Sequence, residues 1–300
     1  NTLPKAKYFD GNPSGLGYGI AVFRTGFDED DTLIVFKCGD SFSPYKSFNG
    51  LLNHFAIYHR GDLAKIDGSD GHYYGGGHLV TFMKQTIGGN AMTVSDPDNP
   101  VGEGLSQWSS HYNDPYYIFY YDQSICNAPG YDGFTGGAPH FTGTALGDHY
   151  EGAESDTGDI IRFESDAEYS YLTGDASEAF YDPVCTLFQR ELAFLNEKYL
   201  IVLDRVTSAQ ADFIKRWYLH TVNEPVMSGT KVGDTSSTDG ATEWDGSLAY
   251  ADCDYAGGTM GRLYVKKLLP SGNFRKRGGE GFEYWCDGLN YDPDPANPPM

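Results

Sequence analysis

Three hundred residues with 40% apolar side chains suffice for one large domain, or two sharing a face, around a sizeable core. A formal net charge of −21 excludes a nucleic-acid binder and a polybasic membrane-surface protein, because phosphates would repel the chain. No apolar run reaches the roughly 18 residues a membrane span needs, and 38 glycines with 23 tyrosines favour short strands and tight turns over long helices.

Residues 1–17, with Pro4 and Pro13, read as a leading segment. Alternation over 18–25 predicts a strand. Asp28-Glu29-Asp30-Asp31 follows as a solvated acidic turn, lacking the glycine and glutamate spacing of an EF-hand loop. A second strand is expected over 32–37. The stretch 36–90 then gathers polar chemistry. It crosses the loop Ser47-Phe48-Asn49-Gly50, alternates again at Phe55-Ala56-Ile57-Tyr58-His59, and runs through Leu63-Ala64-Lys65-Ile66-Asp67 to Gly88-Gly89-Asn90. Four of the eight histidines (His54, His59, His72, His78) lie in it, with Asp62, Asp67 and Asp70.

Residues 95–160 are rich in Gly, Asp, Pro and Tyr and predict long rim loops, where binding surfaces tend to lie. Only 116–121 reads as a strand there. Its aromatics suit either sugar stacking or half-buried strand positions. Beyond Ile160 the expected elements are a strand at 169–171 with a turn at Thr173-Gly174-Asp175, then a hairpin of 186–195 and 199–206 around Asn196-Glu197-Lys198. Further strands are expected at 214–222 and 263–269, with a loop over 228–247 between them. The proline-rich tail 292–300 cannot extend a central strand. The expected class is all-β: a large antiparallel two-sheet β-sandwich, or supersandwich, over residues 18–291.

The five cysteines (Cys38, Cys126, Cys185, Cys253, Cys286) form no C-x-x-C pair, which argues against a zinc ribbon or redox motif. They read as buried thiols with one or two disulfides and at least one cysteine left over. No signal peptide is visible, as expected of a mature exported form or of a fragment.

Seven short motifs occur in a telling order. They are Phe23-Arg24-Thr25-Gly26; Phe55-Ala56-Ile57-Tyr58 with Gly61-Asp62-Leu63-Ala64 and Ile66-Asp67; and Phe82-Met83-Lys84-Gln85-Thr86-Ile87 with Asn90. Then come Tyr171-Leu172-Thr173-Gly174-Asp175-Ala176, Leu200-Ile201-Val202-Leu203-Asp204-Arg205-Val206, Lys215-Arg216-Trp217-Tyr218-Leu219-His220 and Asn223-Glu224-Pro225. In this the chain resembles the β-sandwich region of the heparinase II/III-like polysaccharide lyases.

The resemblance implies an extracellular or periplasmic protein working on uronic-acid polysaccharide by β-elimination. It also implies a zinc ion, and an α/α-toroid domain that this sequence lacks. Family members carry a His-x-His pair, the first histidine catalytic and the second a zinc ligand; Ser47 and Asn49 stand at those positions here. Asp67 matches the zinc aspartate, and Gly89 takes the place of the remaining zinc histidine. Elimination requires neutralising the sugar carboxylate, removing the adjacent proton and protonating the leaving oxygen, work suited to a tuned histidine or tyrosine. Neither Ser47 nor Asn49 serves as such a base alone, and one carboxylate does not hold zinc. A depleted site and no bound cofactor are therefore expected.

Strand parity places His54 on the face opposite Phe55, away from the zinc positions. His72, Tyr73, Tyr74 and His78 form a glycine-rich loop within reach of Asp67 and are candidate substrate contacts, or plain loop residues. His220 reads as a satisfied structural histidine. Lys266, Lys267, Arg275, Lys276 and Arg277 form a candidate basic patch for an anionic polymer, or a solvated hairpin tip. The rival expectation is a non-catalytic extracellular protein that binds glycan or assembles into a homo-oligomer or filament through exposed sheet edges.

Overall fold

Alternating apolar residues bury every second side chain, fully or in part, along strands such as Cys185–Leu195 and Tyr199–Ser208, and pairing aligns them into rows. The computed structural model describes residues 3–9, 19–39, 52–65, 86–95, 158–179, 185–253, 260–286 and 289–290. The first sheet runs in chain order through β1 (Ala6–Phe9), β2 (Ile20–Arg24), β3 (Thr32–Lys37), β4 (His54–His59) and β5 (Asp62–Ala64), all antiparallel. Its register sets Ala21, Phe36 and Phe55 in one buried row and Phe23, Ile34 and Ile57 in the next.

A short 3₁₀ turn (Thr86–Gly88) leads into β6 (Met92–Ser95). The second large sheet comprises β7 (Asp159–Ser165), β8 (Tyr169–Asp175), β9 (Cys185–Leu195) and β10 (Tyr199–Ser208), ordered β10-β9-β8-β7. One inward row holds Leu172, Leu192 and Val202; another holds Gly174, Arg190 and Asp204. The apolar residues of this face pack with those of the first sheet in a single core. The chain is an all-β sandwich.

β11 (Ile214–Trp217) pairs with β6. The remaining strands are β12 (Val226–Met227), β13 (Lys231–Thr235), β14 (Ala241–Trp244), β15 (Leu248–Asp252), β16 (Arg262–Lys266) and β17 (Phe274–Arg277), followed by β18 (Trp285–Cys286) and β19 (Leu289–Asn290). They form sheets β12-β15-β16, β13-β14-β17 and β18-β19. Cys253 and Leu263 tie this part to the same core.

Several expectations change. The leading segment contributes an edge strand, β1, because pairing with β2 outweighs four residues of weak alternation. Thr173-Gly174-Asp175 is no turn: Gly174 lies within β8 opposite Arg190. A Cβ there would stand 2.3 Å from Asn53 Oδ1 and 2.6 Å from Phe36 Cζ, so the glycine serves close packing of the two sheets. The loop expected over 228–247 contains the β13–β14 hairpin. The strand expected over 214–222 stops at Trp217, after which Tyr218 and His220 donate to the turn at 90–91. The hairpin at Asn196 and Glu197 forms as expected, both residues at positive φ (50° and 55°), which matches the twist of the flanking strands. Cys38, Cys185 and Cys253 are buried and not joined in disulfides. The strand over 116–121 and the tail 292–300 lie outside the described residues.

Candidate functional site: a buried polar cluster around Asn90

At the start of β4 the chain turns through Asn53 in a left-handed conformation (φ 57°). This turn delivers two buried polar residues, Asn53 and His54, to opposite faces of the first sheet. Asn53 reaches the second sheet, donating from Nδ2 to the Phe188 carbonyl at 3.1 Å. His54 goes the other way and meets the turn that follows Thr86–Gly88.

Asn90 lies at the centre, fully buried, with every polar group used. Its N–H donates to His54 Nδ1 at 2.9 Å. Its side-chain NH₂ donates to the Phe55 carbonyl at 2.8 Å and the Lys65 carbonyl at 3.4 Å. Its side-chain oxygen accepts the His220 N–H at 2.6 Å, and its own carbonyl accepts Arg190 Nη1 at 2.6 Å. One side chain thereby ties β4, the residue just past β5, the turn before β6 and the segment after β11.

Arg190 joins this cluster to the second sheet. Its guanidinium grips Asp204 with Nε and Nη2 at 2.6 and 2.7 Å, while Nη1 donates also to the Asn53 carbonyl at 2.5 Å. The rings of Phe55, Phe188 and Trp217 lie 5.5, 5.6 and 5.9 Å from it. A fully buried arginine is tolerable because an ionised carboxylate and two carbonyls satisfy its fork.

These contacts decide what the cluster can do. Burial, then the charges of His220, Arg190 and Lys37, push His54 down from 6.5 to about 3. It is neutral at physiological pH, and its Nδ1 lone pair is already taken by Asn90. Lys37, directly across from His54 on β3, is likewise pushed down by burial. The described part of this arrangement organises backbone and buries basic groups.

The residues singled out from sequence fare differently. Ser47, Asn49, Asp67, His72, Tyr73, Tyr74 and His78 lie outside the described residues. Gly89 is described and contributes only backbone, donating its N–H to the Thr86 carbonyl and accepting from Ala91. His54 is the first residue of β4, as strand parity expects, and is buried. His59 contacts Thr32 Oγ1 through Nδ1 at 3.1 Å. Among the described residues no three or more His, Cys, Asp or Glu come together to hold a metal. Gly89 has no side chain to ligate a metal, and the Asn90 amide and His54 Nδ1 are engaged, so this part of the cluster does not fit a zinc ion.

The expected basic patch is divided between sheets. Lys266 is on β16, whereas Arg275, Lys276 and Arg277 are on β17, within a strand and not at a hairpin tip. Arg275 pairs with Asp239 and Lys276 with Glu224.

Arg190, Asn53 and Lys37 were not singled out from sequence. Arg190 had a legible signal: it alternates with Phe188, Leu192 and Phe194, and a hairpin pairing Leu195 with Tyr199 sets it opposite Asp204. No such signal marks Asn53.

No family model matches the chain, and no curated protein matches it. Solved structures do. A heparinase III gene product with methylated lysines aligns over 92% of this chain and 33% of its own, at TM-score 0.46 and 12% identity. A mutant of the heparan sulfate lyase HepC from Pedobacter heparinus covers 88% of this chain and 36% of its own, at TM-score 0.43 and 15% identity. A crystal structure described as heparinase III covers 87% and 36%, at TM-score 0.43 and 13% identity. This chain spans about a third of the length of the structures it matches. A likeness this distant says nothing of residues or chemistry.

Proposed function

We propose that the chain is the β-sandwich portion of a heparinase II/III-like protein that engages uronic-acid polysaccharide outside the cell or in the periplasm, with its zinc and base positions depleted. The observation that carries this reading is a convergence. Phe55, Asn90, Asp204, Trp217 and His220 come from four separate motifs of the family pattern, and all five border the one network around Asn90 and Arg190. Motifs kept for an unrelated reason would have no cause to meet. Among the described residues no helix is long and apolar enough to cross a membrane.

A second reading, a non-catalytic glycan-binding or structural protein that forms homo-oligomers, is favoured by one observation. The described half of the cluster spends His54 Nδ1 and the Asn90 side-chain amide on backbone groups. One experiment separates the two. The full chain is incubated with hyaluronan, alginate and heparan sulfate, unsaturated product is followed by ultraviolet absorbance, and retardation is measured in gels cast with each polymer. Retardation by a uronate polymer is the expected result. Product formation would add lyase activity, and retardation without product would assign binding alone. The absence of both would overturn the first reading and the glycan-binding form of the second; light scattering that shows only monomer at high concentration would overturn its oligomeric form. Stoichiometric zinc in the purified protein would overturn the depleted site.

A further inference from the structure

Two sheets carry exposed tyrosines on their outer faces, and charge distinguishes them. On β7–β10, Arg162 and Arg205 are held by Glu164 and Glu191, and Asp175 adds a third carboxylate on the same face. On β15 and β16 the balance is reversed. Direct cross-strand pairs set Asp252 opposite Arg262, Tyr250 opposite Tyr264 and Leu248 opposite Lys266, with Val226 of β12 beside Tyr250. Among the described residues of these two strands, two cations on this face stand against one carboxylate. The alternate residues Ala249, Ala251 and Leu263 turn inward.

The geometry of this face is built rather than incidental. The Tyr250 and Tyr264 rings lie 5.9 Å apart, tilted by 45°, and Tyr264 is 60% exposed. The Arg262 guanidinium lies 4.4 Å over the Tyr250 ring. Asp252 accepts from its Nε and Nη2 at 2.5 and 2.8 Å, which fixes its plane and leaves Nη1 directed towards the Tyr264 hydroxyl at 3.3 Å. At the other end Lys266 Nζ donates to Ser247 Oγ at 2.6 Å and has two further N–H groups to offer. Positions 262 and 266 are about 13 Å apart along the strand at about 3.3 Å per residue, with Tyr264 midway.

We infer that this face binds a segment of carboxylated polysaccharide. A pyranose ring lies with its C–H face on Tyr264, and carboxylates of the sugars on either side meet Arg262 and Lys266. A chain of net charge −21 repels a polyanion over most of its surface. Binding is therefore confined to a place where the local charge is reversed, within a Debye length of about 8–10 Å. The choice of a carboxylated polymer rests on the function proposed above; the position of the site does not.

The test uses the full chain in native gels cast with hyaluronan, alginate or neutral dextran. Hyaluronan or alginate retards the wild type, and dextran does not. Tyr264→Ala and Lys266→Glu each weaken retardation by roughly three- to tenfold. Both positions are exposed, so circular dichroism of the variants stays that of the wild type. Tyr199→Ala, on the outer face of β10, leaves retardation unchanged. Equal retardation of all variants, or equal retardation by dextran, overturns the site while the reading of the whole chain stands. A wild type that neither forms product nor is retarded by any uronate polymer overturns both.

Discussion

A guanidinium wholly out of water survives only where its nitrogens find acceptors, and all three nitrogens of Arg190 do, through Asp204 and the carbonyls of Asn53 and Asn90. Arg190→Met should strand the nearly buried Asp204 carboxylate and both carbonyls, costing about 3–5 kcal/mol in urea denaturation. Arg190→Lys should rescue little of this, since an ammonium cannot reproduce the planar fork; near-wild-type stability for either variant would refute the account. His54 makes a prediction of opposite chemical origin. Its folded pKa of about 3 lies below its ordinary 6.5, so the folded state binds fewer protons than the unfolded state between those values. Its contribution is fully present above pH 6.5 and is lost as pH falls towards 3, at up to about 1.4 kcal/mol per pH unit. In His54→Asn, whose side-chain oxygen still accepts the Asn90 N–H, this component disappears. The stability difference, wild type minus variant, should therefore shrink across that window in urea titrations at stepped pH. A constant difference would show that His54 titrates normally.

Elements here are set by pairing more than by local punctuation. Gly174 resembles a turn residue in sequence, yet it sits inside β8 because the Asn53 amide and the Phe36 ring need the space a side chain would fill. Gly174→Ala should cost about 1–3 kcal/mol through forced separation of the sheets. Gly233→Ala in β13 would meet only the Glu243 side chain, at 3.2 Å and beyond, and should stay within about 1 kcal/mol of wild type. Equal effects at the two glycines, read as urea midpoints, would contradict this packing argument. The hairpin joining β9 and β10 shows the opposite case. Its long alternating arms and polar tip are legible without tertiary information, and so was the pairing of Arg190 with Asp204 that follows from its register. β1 and the β13–β14 hairpin were not legible, because short strands carry too few alternations to stand out from loops.

Across the whole molecule, charge has the widest reach. A net −21 repels itself, and raising NaCl from about 0.01 M to about 0.15 M shortens the Debye length from about 30 to about 8 Å. Thermal unfolding followed by circular dichroism should show a higher Tm at the higher salt, while retardation by anionic polysaccharide weakens. Salt effects of the same sign on both would mean that self-repulsion and ligand attraction do not arise from the charges assigned to them. Composition and alternation by themselves determined the all-β class, the antiparallel sandwich and most long strands, because burial with period two is written along each strand. The motifs that carry the family resemblance were also readable one by one. Only the tertiary structure decided that Asn90, His54 and His220 join the Arg190–Asp204 pair in one network. Hydrogen bonds between residues so far apart in the chain leave no periodic trace, and the role of each depends on which strand lies opposite.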